Sequence, residues 1–394
     1  MKFKAVVILS VLVCLAYMCG CKDYKKEYEI SKETDIDSSF VSATDDEIAL
    51  SGVCTNQAVS GDGLYYVQDN KIFYYSFNTQ KSMNWCTVAN CKHDNKECCG
   101  YMGEDEYLSK YLFYYNEHIY KLSKAENAAY LEQYSMDGSR HITIGKLWDK
   151  NSYVLDDETL LTTGCARMYG GRLYYLVNED YKTVTLCSID LNAAAKPQVI
   201  CSYEEENKRV NAYDFYVSEG FAAFALRFSD ESESTQSIHA VNLEEKKDYS
   251  VSEKIVYFGL DGSRILYPDP ESPEDIISYD VVAQEAKKII DTDKDGGYAS
   301  YYNNIICAED YILLDNEMET AYGYYEQKEI SHVYKIYDYN GTCIKEIPAQ
   351  QYGLAGFNGR IITAIKVGRT IETYIYMPVN PTDNSIQAEW KKLG

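Results

Sequence analysis

The residues best equipped for chemistry fall in one short stretch, 86–99, where Cys86, Cys91, His93 and Cys98 are spaced Cys-x4-Cys-x-His-x4-Cys and Cys99 follows directly. Three thiolates and an imidazole are the donor set of a tetrahedral structural zinc site, with Cys86, Cys91, His93 and Cys98 as ligands. The spacing is not that of a familiar finger or ribbon. The same cysteines fit two other chemistries. Outside a membrane thiols tend to pair, and one or two disulfides would staple such a loop. In anaerobic surroundings they would persist as free thiols. The sequence leaves all three readings open.

A second motif, Asp291, Asp293 and Asp295 followed by Gly296, places oxygen ligands at alternate residues ahead of a sharp turn. It reads as the first half of a calcium loop. The twelfth position is Tyr302, where a bidentate Glu would be needed, so a full helix-loop-helix site is not supported and a solvated polar turn competes. The motifs of catalysis are missing: there is no Gly-x-Ser-x-Gly elbow, no phosphate-cradling glycine loop and no His-Glu-x-x-His helix. His93, His118, His141, His239 and His332 lie far apart, and three of them sit beside or within expected strands, where a structural histidine is commoner than a general base. Asp156-Asp157 and Glu204-Glu205-Glu206 read as solvated charge. A glycoside hydrolase needs two carboxylates facing one pocket, which spacing cannot reveal. Cys54, Cys165, Cys187, Cys201, Cys307 and Cys343 are scattered on expected strands and read as buried apolar side chains.

The elements that must position these residues repeat along the chain. Gly171-Arg172-Leu173-Tyr174-Tyr175-Leu176 has near copies whose first apolar residues are Leu64, Leu112, Leu173, Phe221, Ile265, Ile312 and Ile361, at gaps of 48, 61, 48, 44, 47 and 49 residues. A period in that range on short apolar strands predicts an all-β fold, a single β-propeller of seven blades, with six or eight as the neighbouring counts. A second strand follows each phrase and commonly ends in Asp or Asn, as at Asp190, Asn242, Asp280 and Asp338. Those side chains suit hairpin turns, as do Asp137-Gly138 and Asn340-Gly341. A third short strand closes most units. The phrases are apolar on both faces, which predicts blades packed on either side and not a half-solvated sandwich. Ile48-Ala49-Leu50 is placed to complete the last blade and join the ring's ends.

Composition agrees. Forty tyrosines favour strands that bury a ring while the hydroxyl reaches a partner. The net charge of −23 repels polyanions and argues against nucleic acid as a partner.

The N-terminus carries an address. Lys2 and Lys4 precede an apolar run of 13 residues from Ala5 to Tyr17, too short to span a bilayer comfortably. The run ends Met18-Cys19-Gly20-Cys21, which resembles the lipobox of bacterial lipoproteins, although Met18 stands where Leu is usual and Cys19 is atypical. The resemblance implies a signal peptide over residues 1–20 and a diacylglycerol thioether on Cys21; ordinary cleavage or anchoring at Cys19 are the alternatives. Residues 21–46, charged and Ser-rich, read as a flexible tether, leaving 47–394 for the propeller. Acyl chains contribute about 0.8 kcal/mol per buried methylene, so two or more hold a domain on a membrane nearly permanently.

Taken together, the tyrosine-bearing repeat and the lipobox resemble the tyrosine-rich, lipid-anchored propellers of gut-type Firmicutes, whose domains are likened to those of lipoprotein receptors. That resemblance includes the Cys/His cluster after an early blade and implies fold and location, on the outer face of the cytoplasmic membrane; the chain is separately expected to be a monomer. WD dipeptides, YWTD motifs and Asp boxes are absent. The functional expectation is a non-enzymatic binding or scaffold module for a protein, peptide or glycan. The rival is a carbohydrate-active enzyme with a central-channel pocket, and a third reading is a cation-dependent sensor built on the Cys/His loop.

Overall fold

A computed structural model of the 394-residue chain describes residues 56–94, 98–102, 111–125, 128–148, 166–179, 181–192, 196–230, 234–251, 257–272, 275–291, 301–308, 310–319, 330–350, 353–358, 361–367, 371–377 and 389–393. The expected signal peptide, Cys21, the tether and Ile48-Ala49-Leu50 lie outside these residues, as do Cys54 and Cys165.

The described residues form 28 strands in seven four-stranded antiparallel sheets, and no helix. Blade one holds β1 (Gln57–Val59), β2 (Gly63–Gln68), β3 (Lys71–Ser76) and β4 (Lys81–Asn84). Blade two holds β5 (Leu112–Tyr115), β6 (His118–Ala125), β7 (Ala128–Ser135) and β8 (His141–Trp148). Blade three holds β9 (Ala166–Tyr169), β10 (Arg172–Glu179), β11 (Thr183–Asp190) and β12 (Gln198–Glu204). Blade four holds β13 (Arg209–Ser218), β14 (Phe221–Ser229), β15 (Ser234–Asn242) and β16 (Lys247–Ser250). Blade five holds β17 (Gly259–Asp261), β18 (Arg264–Pro268), β19 (Ile276–Asp280) and β20 (Glu285–Ile290). Blade six holds β21 (Tyr301–Ala308), β22 (Tyr311–Glu319), β23 (Ile330–Asp338) and β24 (Cys343–Gln350). Blade seven holds β25 (Gly353–Phe357), β26 (Ile362–Val367), β27 (Ile371–Met377) and β28 (Glu389–Leu393).

Each blade pairs its strands in chain order, and the first strands of successive blades touch, as β9 with β13, β13 with β17, β17 with β21 and β21 with β25. First strands therefore line the axis. The repeated phrase marks the second strand of its blade at Leu64, Leu173, Phe221, Ile265 and Ile312, and Ile361 directly precedes β26. In blade two the phrase is out of step: Leu112 opens the first strand, and Ile119 on β6 is the true counterpart, which evens out the irregular spacings. Each unit thus has four strands where three were expected. In blades one and five the first strand is only three residues long, whereas β13 and β21 run to ten and eight.

The phrase is buried on both faces, as expected of a strand with a sheet on either side: β14 is buried from Phe221 to Leu226, and β2 from Gly63 to Val67. Several tyrosines bury their rings and bond their hydroxyls internally. Tyr175 donates to the Leu147 carbonyl at 3.0 Å, Tyr66 to Ser82 Oγ at 3.0 Å and Tyr134 to Glu132 Oε2 at 2.6 Å.

One turn device recurs. In six blades the third strand ends on a residue whose side-chain oxygen, or that of a close neighbour, accepts the backbone N–H groups that follow. Asp280 Oδ1 accepts from Val282 and Ala283, both at 2.9 Å, and Asp338 Oδ1 from Asn340 at 2.9 Å and Thr342 at 2.8 Å. These are Asx turns, the local chemistry that the sequence announced. Gly341 follows at φ +82°, and a Cβ there would sit 1.8 Å from the Ile289 carbonyl of blade five, so only glycine fits.

The seventh sheet is complete with β25–β28, and β28 from the C-terminal end supplies its fourth strand. All four strands of this sheet come from the C-terminal end of the chain. Closure is by packing: Val59, Leu64, Tyr66 and Tyr75 of blade one form one core with Ile361, Ile375 and Leu393 of blade seven. Lys391 also donates to Gln80 across this seam.

Candidate metal centre and rim groove

The connection from β4 to β5 carries the Cys/His stretch, and its two feet stand on one residue. The Trp85 amide donates to the Ile72 carbonyl at 3.0 Å, and the Ile72 amide donates to the Gly100 carbonyl at 2.8 Å. The Met102 amide adds a bond to Asn70 O at 2.9 Å, and Lys71 bridges Tyr101. Trp85 wedges between blades: its indole N–H donates to Met136 O at 2.6 Å, and its ring lies edge-on to Tyr65 and Tyr134. From the blade-two side, Lys121 Nζ donates to the carbonyls of Cys99 at 3.3 Å and Tyr101 at 3.1 Å.

Between these feet the chain doubles back twice through left-handed residues, Asn90 at φ 62° and His93 at φ 55°. Cys91 N closes a tight turn on Val88 O at 3.2 Å. The outcome is that one ligand atom from each of Cys86, Cys91, His93 and Cys98 lies within 4.8 Å of all the others. His93 Nδ1 is 3.3 Å from Cys98 Sγ. Cys86 and Cys98 are buried, and Cys91 and His93 are half-buried. Cys99 stands beside the set: its thiol reaches Cys86, but it packs with the Trp85 and Tyr134 core, and a Cβ on Gly138 would meet its sulfur at 2.5 Å.

The thiols crowd one another electrostatically. Burial raises Cys98, helped by Cys91 and Cys86, and Cys99 is pushed up to about 11 by burial and then by the charge on Cys86. Burial opposes ionisation of Cys86 too, but hydrogen bonds from the Val88 amide and the neighbouring thiols outweigh it, and this thiol is lowered. The Cys86 thiolate thus opposes ionisation of Cys98 and Cys99, a conflict that a bound cation relieves. All eight described cysteines are unbridged.

The remaining expected sites resolve differently. Asp291 is exposed at the end of β20, between blades five and six as expected, and Asp293 and Asp295 lie outside the described residues. Cys187 and Cys307 are buried as expected and Cys201 is half-buried, but Cys343 is exposed because it opens β24, an outermost strand. Three histidines outside the cluster, His118, His141 and His239, have structural partners. His239 bridges Ser237 Oγ at 2.9 Å and Asp248 Oδ2 at 2.8 Å, His118 contacts Asn116 O at 2.7 Å, and His141 stacks on Tyr134.

Two features escaped sequence reasoning. On β13, Asp214 sits at a bulge with φ 53°, and burial raises its carboxyl despite the Arg167 charge on neighbouring β9. The Arg167 guanidinium lies 5.9 Å from the Tyr216 ring centre. The second is a solvent-open groove of about 1210 Å³ between blades three and four, lined by Tyr181, Glu204, Glu206, Lys208, Arg209 and Asp230 among others. Antiparallel blades put their second-to-third turns and interblade connections on one face, so all these residues share a rim. Arg209 lies over the Tyr181 ring at 5.8 Å, and Lys208 pairs with Glu205 at 2.6 Å. Glu204–Glu206 thus line this groove together with three cations, Lys182, Lys208 and Arg209, which spacing could not show.

These sheets define a seven-bladed β-propeller. No family model and no curated protein matches the chain. Among solved structures, it is similar to the β-propeller domain of the Trilobed protease from Pyrococcus furiosus, at 12% identity over 87% of this chain and 96% of that one, with TM-score 0.48. An uncharacterised protein of Listeria monocytogenes EGD-e aligns at 10% identity over 71% and 79% of the respective chains, with TM-score 0.45. TolB from Acinetobacter baumannii aligns at 13% identity over 85% and 80%, with TM-score 0.40.

Proposed function

We propose that this chain is a membrane-tethered, non-enzymatic propeller that binds a protein, peptide or glycan through the rim between blades three and four. The observation carrying this reading is the form of the groove: wide, open to solvent and edged by Tyr181, Glu204, Glu206 and Arg209. An open surface of mixed charge with an aromatic suits a partner recognised over area, since tyrosine offers contact with few rotamers to freeze. The lipidation of Cys21, suggested by the N-terminal sequence alone, would hold that rim at the outer face of the cytoplasmic membrane. In this reading the Cys/His cluster serves the fold and not the ligand surface.

The test is to screen the purified chain and its Arg209→Glu variant against glycan and peptide arrays. A ligand kept by the wild type and lost by the variant supports the reading; hydrolysis of any arrayed glycan overturns it in favour of the carbohydrate-active enzyme. The membrane part is tested by metabolic labelling with a clickable fatty acid, which is expected to mark the wild type and not Cys21→Ala. Labelling that survives the substitution contradicts the anchor.

A further inference from the structure

We propose that Cys86, Cys91, His93 and Cys98 bind a single Zn2+ ion, through three sulfurs and His93 Nδ1, and that this ion clamps blade one to blade two. The proposal stands on the fold and not on the rim groove, so its failure and that of the binding reading are separable.

The donor set is in place before any ion arrives. For zinc–sulfur bonds of about 2.3 Å, tetrahedral geometry sets neighbouring ligands about 3.8 Å apart. The four atoms here all lie within 4.8 Å of one another, and the Nδ1 to Cys98 Sγ edge is 3.3 Å, so small side-chain adjustments complete the coordination. Three thiolates with one imidazole are soft ligands that favour zinc over calcium or magnesium. Binding displaces the thiol protons to solvent and leaves each thiolate paired with the cation.

Cys98 and Cys99 are adjacent, yet the geometry chooses between them. Cys98 is buried, faces His93 and lies within 4.8 Å of all three other donors, whereas Cys99 reaches only Cys86 of the set and packs its sulfur beside Gly138 in the interblade core. Cys99 is therefore a packing residue, and Cys98 is the fourth ligand.

The clamp follows from what the loop touches. Its feet share Ile72 on β3, Trp85 reaches Met136 beyond β7, and Lys121 on β6 holds the Cys99 and Tyr101 carbonyls. A four-coordinate ion inside the loop fixes Cys86, next to Trp85, against Cys98, next to the carbonyls that Lys121 grips. Blade contacts and coordination sphere then form one cooperative unit.

The test uses the full chain, purified with detergent under reducing, oxygen-free conditions and supplied with zinc. Elemental analysis is expected to return roughly one zinc per chain, as a four-ligand structural site requires. Chelator competition is expected to show zinc held at least ~100-fold more weakly in Cys86→Ser, Cys91→Ser and Cys98→Ser, a loss no smaller than that for removing a supporting residue. Cys99→Ser is expected to bind as the wild type does. Should the ligand variants fail to fold, cobalt substitution of the wild type decides: intense thiolate-to-metal charge-transfer bands with tetrahedral d–d bands are expected. Weak octahedral bands, a disulfide between any two ligand cysteines in protein kept reduced, copper or iron in place of zinc, or equal loss of zinc in Cys98→Ser and Cys99→Ser would each overturn the proposal.

Discussion

Replacing Lys121 with methionine probes the junction on which the Cys/His loop rests. The side chain is 6% exposed, and its ammonium donates to two carbonyls of the loop, Cys99 O at 3.3 Å and Tyr101 O at 3.1 Å. It also lies 4.5 Å from the centre of the Tyr134 ring, and Glu132, 1% exposed, stands opposite it in the β6–β7 register. Hydrogen bonds from a charged donor contribute about 1.5–3 kcal/mol each, and these two, at the long end of the distance range, belong near the lower figure. A desolvated cation–π contact adds about 1–2 kcal/mol. Methionine keeps the packing and recovers about 1 kcal/mol of apolar burial, so the net cost is about 3 kcal/mol. The assay is native-state hydrogen exchange at the amides of Ile72, Tyr101 and Met102, all internally bonded. Their exchange is expected to accelerate about 100-fold, at 1.4 kcal/mol per factor of ten, while strands of blades four and five are unaffected. An acceleration below about tenfold, or one spread equally over the ring, would refute the idea that this lysine grips the loop.

Three further outcomes follow from the same architecture. Gly341→Ala forces a side chain against the Ile289 carbonyl at a left-handed turn, and thermal unfolding should show a loss above about 2 kcal/mol; an unchanged midpoint would contradict the blade-five to blade-six contact. Ile375→Ala empties the seam between blades one and seven and should cost about 2–5 kcal/mol by urea unfolding, with exchange rising in β2 and β27 before blade four; a uniform rise would contradict closure by packing. For Asp214, burial raises the folded carboxyl above its unfolded value, so stability falls as pH rises through the folded pKa. Asp214→Asn should therefore gain on the wild type as pH climbs from about 4 to 7; an advantage independent of pH would refute this.

How far the fold could be read depended on whether the physics was local. The phrase at Leu173 and its relatives, apolar on both faces, could only belong to a stacked sheet, and the Asp and Asn residues ending third strands announced their turns. The mistaken phase of blade two has a local cause as well: Tyr111-Leu112-Phe113-Tyr114-Tyr115 is as aromatic as the second strands, so a first strand passed for one. The four-residue Cys/His set, Cys98 included, was legible from spacing, but the packing that occupies Cys99 was not, because it depends on Gly138 and Trp85 across an interblade contact. Nothing in the local sequence marks Lys121 for burial, which comes from a loop folded over it. The groove and Asp214 are products of neighbouring blades, which no window of sequence contains.

The most direct test of the zinc-clamped propeller is a crystal structure recorded on both sides of the zinc absorption edge. The account predicts seven four-stranded blades and one anomalous peak, bonded to Cys86, Cys91, His93 and Cys98, with Cys99 outside the coordination sphere. A sulfur–sulfur bond within the set, or a peak held by other residues, would contradict it.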